Sequence, residues 1–144
     1  MNRRAMLAGL GAAAAATGVA QAGDDKKTRK AEEGDCCSRC VEHCSKCLAE
    51  CLACYAHCAE LAASGNKMAA ECMKFCLDCT EFCKVCITVC GRKGAMMGVC
   101  CEACAKACEL CAKACATMPD DPTCVACAKM CRECIECCKS CCKA

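Results

Sequence analysis

Cysteine recurs every three or four residues through four separate stretches of the chain, and that rhythm leaves few folds open. The first stretch carries Cys37, Cys40, Cys44, Cys47, Cys51, Cys54 and Cys58. The second carries Cys72, Cys76, Cys79, Cys83, Cys86 and Cys90, and the third Cys101, Cys104, Cys108, Cys111 and Cys115. The fourth carries Cys124, Cys127, Cys131, Cys134, Cys138 and Cys141. Steps alternating between three and four residues keep each series on one helix face, the a/d seam of packed helices, with thiols where leucines are usual. Four of the 28 cysteines, Cys36, Cys100, Cys137 and Cys142, stand outside this register, each beside an in-register neighbour. Four stripes that must be buried together predict an all-α fold: an antiparallel up-down-up-down four-helix bundle with a cysteine-lined core.

Little else in the chain can hold such a bundle together. There is no Trp, and the aromatic residues are Tyr55, Phe75 and Phe82. At about 25 cal/mol per Å² of buried apolar surface, so few bulky side chains make a weak core. Cross-links or bound metal must supply the missing cohesion. Arg3 and Arg4 account for the formal charge of +2; beyond residue 22 basic and acidic residues balance at 17 each. That balance removes any footprint for nucleic acid or an anionic membrane.

Residues 1–22 read as an export signal: Arg3-Arg4, a weakly apolar Ala/Gly-rich run, then Ala20-Gln21-Ala22 as a small-x-small cleavage site. The paired arginines and soft apolar run match the twin-arginine type, which predicts a periplasmic protein whose mature chain starts at Gly23. The run is shorter than the ~20 residues needed to span a bilayer. Residues 23–35 are charged and aperiodic, predicting a flexible leader, and the bundle occupies 36–144. Asp35 is the expected cap of a first helix reaching Ala63. Ser64-Gly65-Asn66-Lys67 forms a turn, a second helix covers about 68–90, and Gly91-Arg92-Lys93-Gly94 stops it. A third covers about 95–116. Asp121 then caps a fourth, with Pro122 as its first residue.

Thiols three or four apart on a helix lie about 5–6 Å apart at Cβ. Most cysteines are therefore expected to find their nearest sulfur on their own helix, where two thiolates converge on one ion. Soft thiolates select Cu(I), Zn or iron–sulfur clusters, and export adds disulfides as a further use. A disulfide scaffold usually has irregular spacing and many loops, unlike these rows. An iron–sulfur site favours a loop run ending in Cys-Pro, which Cys124, Cys127 and Cys131 approach without the proline. Zinc needs closed sites of four ligands, seven at most from 28 cysteines. Cu(I) accepts two or three thiolates, so 28 cysteines suffice for about 14 ions, and for up to about 28 if thiolates bridge. Each Cu(I) also neutralises one buried thiolate charge. Cu(I) fits best; a zinc or general detoxification protein and a disulfide-structured envelope protein remain the alternatives.

The pattern resembles the bacterial copper storage proteins, cysteine-lined four-helix bundles that hold many Cu(I) ions. The resemblance rests on His57-Cys58 closing the first stripe, Met68 before Cys72, and Cys111-Ala-Lys-Ala-Cys115 running through the proline turn to Cys124-Val-Ala-Cys127-Ala-Lys-Met-Cys131-Arg-Glu-Cys134. It implies copper storage or sequestration, assembly into homo-oligomers, and exchange with copper-requiring enzymes or chaperones. All 28 cysteines are candidate ligands, though Cys36, Cys100, Cys137 and Cys142 have no evident family role.

In an up-down bundle His57, Met68, Met73 and Met118 gather at one end, with Met96 and Met97 at the other. A neutral thioether binds Cu(I) and cannot form a disulfide, which suits a mouth where copper is loaded. The resemblance likewise implies a His-Cys pair near the open end, making His57 a candidate ligand beside Met68, Met73 and Met118. His43 and Met130 read as packing. No nucleophile with a base and orienter and no phosphate loop occurs, so an enzyme is not expected.

Overall fold

The structure, a computed structural model, describes residues 24–141, with side chains from Cys36 onward. The export segment 1–22 and Cys142 lie outside the described residues. Four helices form, α1 (Asp24–Ala63), α2 (Lys67–Gly91), α3 (Met97–Cys115) and α4 (Pro122–Cys141), with no strand among the described residues. The expected start of the first helix at Asp35 is corrected. α1 runs unbroken for 40 residues from Asp24, through the segment expected to be a flexible leader. Extending an existing helix costs little beside nucleating one, and the Lys, Arg, Glu and Ala of that segment favour helix.

The turns follow local chemistry. Gly65 takes φ +95° after α1, where its lack of a Cβ matters, and Asn66 N–H donates to Leu61 O at 3.1 Å. Asn66 then caps α2, its Oδ1 accepting from Ala69 N–H at 3.1 Å. At the second turn Lys93, not a glycine, adopts the left-handed conformation, with φ 52°. Gly94 is needed for a different reason: a Cβ there would sit 3.2 Å from Val89 Cγ1. Asp121 caps α4 as expected, its Oδ1 accepting from Thr123 N–H at 3.0 Å and Cys124 N–H at 2.9 Å.

Each helix packs against two others in the cyclic order α1-α2-α3-α4, and diagonal backbones stay apart. The sulfur register gives the directions. Residue numbers rise together between α1 and α3 (Cys40 with Cys101, Cys54 with Cys115). They run oppositely between α1 and α4 (Cys40 with Cys138, Cys54 with Cys124). They also run oppositely between α2 and α3 (Cys72 with Cys115, Cys86 with Cys101). The bundle is therefore up-down-up-down. Its interior inverts the usual division of residues. Cysteines fill the centre, while Leu77, Phe82, Val85, Val99 and Leu110 are 41–59% exposed. Thr80 is a fully buried polar residue, satisfied by donating from Oγ1 to Cys76 O at 2.8 Å. Outside, i,i+3 and i,i+4 pairs such as Lys74–Glu71 and Lys46–Glu42 line the solvated faces, and Glu109 links Lys106 to Lys139 between α3 and α4.

Candidate metal centre

Every cysteine of the heptad register is buried, most with no exposed surface at all. Because the seams point at one axis, the thiols stack in layers that take one from each helix. The central layer joins Cys47, Cys79, Cys108 and Cys131: Cys47 lies 3.8 Å from both Cys108 and Cys131, and Cys79 lies 3.5 Å from Cys108. Towards the chain end that holds Cys40 come Cys44, Cys83, Cys104 and Cys134, with contacts of 3.7–3.9 Å, then Cys40, Cys86, Cys101 and Cys138 at 3.7–4.0 Å. Towards His57 come Cys51, Cys76, Cys111 and Cys127 at 3.7–4.0 Å, then Cys54, Cys72, Cys115 and Cys124 at 3.5–3.9 Å. Alternating steps of three and four residues set the layers roughly 5 Å apart at 1.5 Å per residue. Cys58 and Cys90 extend the stack at opposite ends, Cys58 lying 3.8 Å from Cys124 and Cys90 lying 3.5 Å from Cys101.

The expectation that nearest sulfurs share a helix is corrected. The 3.5 Å contacts Cys72–Cys115, Cys79–Cys108 and Cys90–Cys101 all join different helices. Same-helix pairs such as Cys47–Cys51 and Cys72–Cys76 stand at 3.8–4.0 Å. Side chains from four directions converge on the axis, whereas neighbours on one helix are held a turn apart. Even the diagonal pair α1 and α3, whose backbones do not touch, meet through sulfur.

Sets of four sulfurs, each within 4.8 Å of the other three, include Cys40/Cys44/Cys86/Cys138, Cys40/Cys86/Cys90/Cys101, Cys44/Cys104/Cys134/Cys138, Cys47/Cys51/Cys79/Cys131 and Cys47/Cys83/Cys108/Cys134. Cys40, Cys44, Cys47, Cys86, Cys134 and Cys138 each belong to two of them. Isolated tetrahedral zinc sites need four ligands of their own. Shared donors instead suit ions of low coordination number linked through common thiolates. At the ends of the stack burial pushes the thiols up: Cys58 to about 11, and Cys90 and Cys124 above the ordinary range. The metal-free core therefore holds neutral thiols there, and a bound cation must displace their protons.

The cysteines outside the register have distinct fates. Cys36 forms a disulfide with Cys141, so in this state both are withdrawn from the ligand set expected for them. Cys100 and Cys137 are half-buried, Cys137 packing against the core, where burial holds it up at about 11.

The structure brings the candidate mouth residues to one end but gives them different surroundings. Met118 is buried in the core, Met73 packs partly against it, and Met68 is 53% exposed. Met68 and Cys72 line a surface recess of about 460 Å³ with Phe75 and Thr117, and Cys72 at its floor has no exposed surface. His57 Nε2 is engaged with Asp121 Oδ2 at 2.6 Å. Asp121 is held below the usual carboxylate range, first by the backbone N–H of Cys124 and then by His57. From the sequence Asp121 is expected only as a cap. Its position three residues before Cys124, in the stripe itself, was the available signal. His43 Nδ1 is buried without a hydrogen-bond partner. At the other end Cys37 Sγ lies 3.4 Å from Met97 Sδ, a pairing between helices that spacing along the chain does not reveal.

The family model for copper storage protein matches residues 14–143. Among solved structures, the Cu(I)-bound copper storage protein BsCsp3 has a TM-score of 0.66 and 30% identity, covering 72% of this chain and 94% of that one. A cytosolic copper storage protein from Streptomyces lividans, with five coppers, has a TM-score of 0.70 over 79% of this chain and 98% of that one. At 24% identity it speaks for the fold alone. No curated protein matches the sequence. With its layered thiol core and this match along nearly its whole length, the chain belongs to the copper storage protein family.

Proposed function

We propose that the protein is a non-enzymatic store that, with every cysteine reduced, holds about 14 to 28 Cu(I) ions per chain, the range set by two thiolates per ion or one. The observation that carries this reading is the sharing of cysteines between overlapping four-sulfur sets. An unbroken column of shared soft donors lets an ion move from one layer to the next by exchanging one thiolate at a time. A thiol-filled interior leaves no cleft for an organic substrate. Competition between Cu(I) and Zn(II) for the reduced protein tests the choice of metal. Copper should displace zinc completely, and a plateau near seven retained zinc ions would replace copper with zinc.

Copper loads at the His57 end, where Met68 and Cys72 border the surface recess. Met118 and Met73 lie behind it as neutral sulfur donors. The Asp121 carboxylate fixes the His57 ring through Nε2, leaving Nδ1 as the nitrogen able to bind a metal. The twin-arginine segment carries the protein to the periplasm, where it exchanges copper with copper-requiring enzymes or chaperones. Mass measurement of the exported protein should give a chain beginning at Gly23. Phe75, Phe82 and Leu110 line an apolar groove of about 260 Å³ between α2 and α3, with Asp78 and Lys106 at its edges. A second copy turned by a two-fold axis would match acid to base there, supporting a homo-oligomer. Light scattering should find more than one chain per particle, fewer in Phe82→Glu.

A further inference from the structure

The end of the bundle away from His57 is built differently from the rest of the stack. One step of three or four residues beyond Cys40, Cys86, Cys101 and Cys138, the stripes continue with Cys37, Cys90, Met97 and Cys141. Here α3 offers a thioether where the inner layers have only thiols. Cys37 Sγ and Met97 Sδ meet at 3.4 Å across the diagonal of the bundle. Cys90 turns inward, 3.5 Å from Cys101 and 3.8 Å from Cys40. Cys141 is tied to Cys36, with Cα atoms 5.9 Å apart, so α1, three turns in from its first residue, is stapled to the end of α4. Cys37 is 5% exposed and Met97 half-buried, which places the pair at the boundary between core and solvent.

We propose that Cys37 and Met97 form a second Cu(I) port, a mixed thiolate–thioether site at the end of the bundle opposite the His57 mouth. Two sulfurs that meet at 3.4 Å face a common point, and the flexible methionine lets them part to take one ion between them at about 2.3 Å each, an ordinary metal–sulfur length. Both donors are soft, and together they select Cu(I) over harder cations. Charge separates this site from its neighbours. One thiolate and one neutral thioether leave a monovalent ion with no net charge, whereas a two-thiolate site keeps a net negative charge and holds its ion more tightly. The pair is therefore the weaker, more exchangeable station expected where ions pass between the column and solvent. The Cys36–Cys141 staple sits beside it, joining α1 to α4.

This port rests on the storage reading, and one experiment separates their failures. The full protein, labelled with ¹³C at its methionine methyl groups, takes Cu(I) anaerobically from a chromophoric chelator while the methyl resonances are followed. Cu(I) is diamagnetic, so the signals survive loading. Met97→Leu, close in volume and tolerated by packing, assigns the Met97 signal by its disappearance. On loading, the Met97 methyl resonance should shift, and in Cys37→Ser, with helicity checked by circular dichroism, that shift should be lost. A Met97 signal unmoved at saturation, or a shift that persists in Cys37→Ser, overturns the port while copper uptake by the column stands. Failure of the wild-type chain to draw any Cu(I) from the chelator overturns the storage reading, and the port with it.

Discussion

Removing two cysteines at a time distinguishes sites built across helices from sites built along one helix. Cys79 and Cys108 lie in the same layer on different helices, 3.5 Å apart. Cys79 and Cys83 lie on one helix, a turn apart, in adjacent layers. If each ion is held across helices, Cys79→Ala with Cys108→Ala removes both ligands of one site and should lower the plateau by about one Cu(I). Cys79→Ala with Cys83→Ala takes a ligand from each of two layers and should lower it by about two. Truncating a fully buried thiol deletes one heavy atom and leaves a small cavity, about 1 kcal/mol each, so either double variant loses about 2 kcal/mol when metal-free. That leaves most of a typical stability of about 5–15 kcal/mol, and both variants should stay helical. Native mass spectrometry of the anaerobically saturated proteins counts the ions. The reverse order, with the Cys79/Cys83 variant losing one ion and the Cys79/Cys108 variant two, would refute assembly across helices.

Burial raises Cys58 to about 11 and lifts Cys90 and Cys124 above the ordinary thiol value of about 9, so the folded state favours their protonated forms. Their contribution to stability is full below pH 9 and declines as pH rises above it, that of Cys58 being lost by about pH 11. The urea midpoint of the reduced, metal-free protein should therefore fall between pH 8 and 10.5, and one that is flat or rising would contradict the burial of neutral thiols. Asp121 is shifted the other way, first by its cap to the Cys124 N–H, so its contribution is present above the ordinary carboxylate value near 4 and fades as pH falls below it. Asp121→Ala should lose about 1 kcal/mol as a helix cap, whereas Asp121→Asn should lose less while still removing the charge beside His57. Equal midpoints for the two variants would show that the cap does not carry the effect. Cys47→Ala with Cys51→Ala should lower the copper plateau and leave the far-ultraviolet spectrum helical; gross unfolding would mean that these thiols serve structure instead of cargo.

The architecture was legible because the cysteine period is the helix period. Four stripes gave four helices and their inward faces, and Gly65, Asp121 and Pro122 marked turns that the structure keeps. Lys93 and Asn66 were less visible, since a left-handed lysine and an asparagine cap depend on the geometry of one particular turn. The leader misled because charge without apolar periodicity says what a segment does not pack against, not whether an adjoining helix continues through it. Pairing of sulfurs was also misjudged. Spacing along one helix is written in the sequence, but distances between Cys79 and Cys108 or Cys72 and Cys115 depend on how closely four helices approach one axis. Small thiols in place of leucines permit that approach. The link between His57 and Asp121 and the contact between Cys37 and Met97 likewise arise where different helices meet at the ends of the stack.

Anaerobic titration of the reduced protein with Cu(I), against a chromophoric chelator of known affinity, addresses copper storage most directly. A chelator-resistant plateau of about 14 to 28 ions per chain is expected from shared thiolates along the column. Retention of only a few ions, or a plateau near seven for zinc that copper cannot displace, would contradict it.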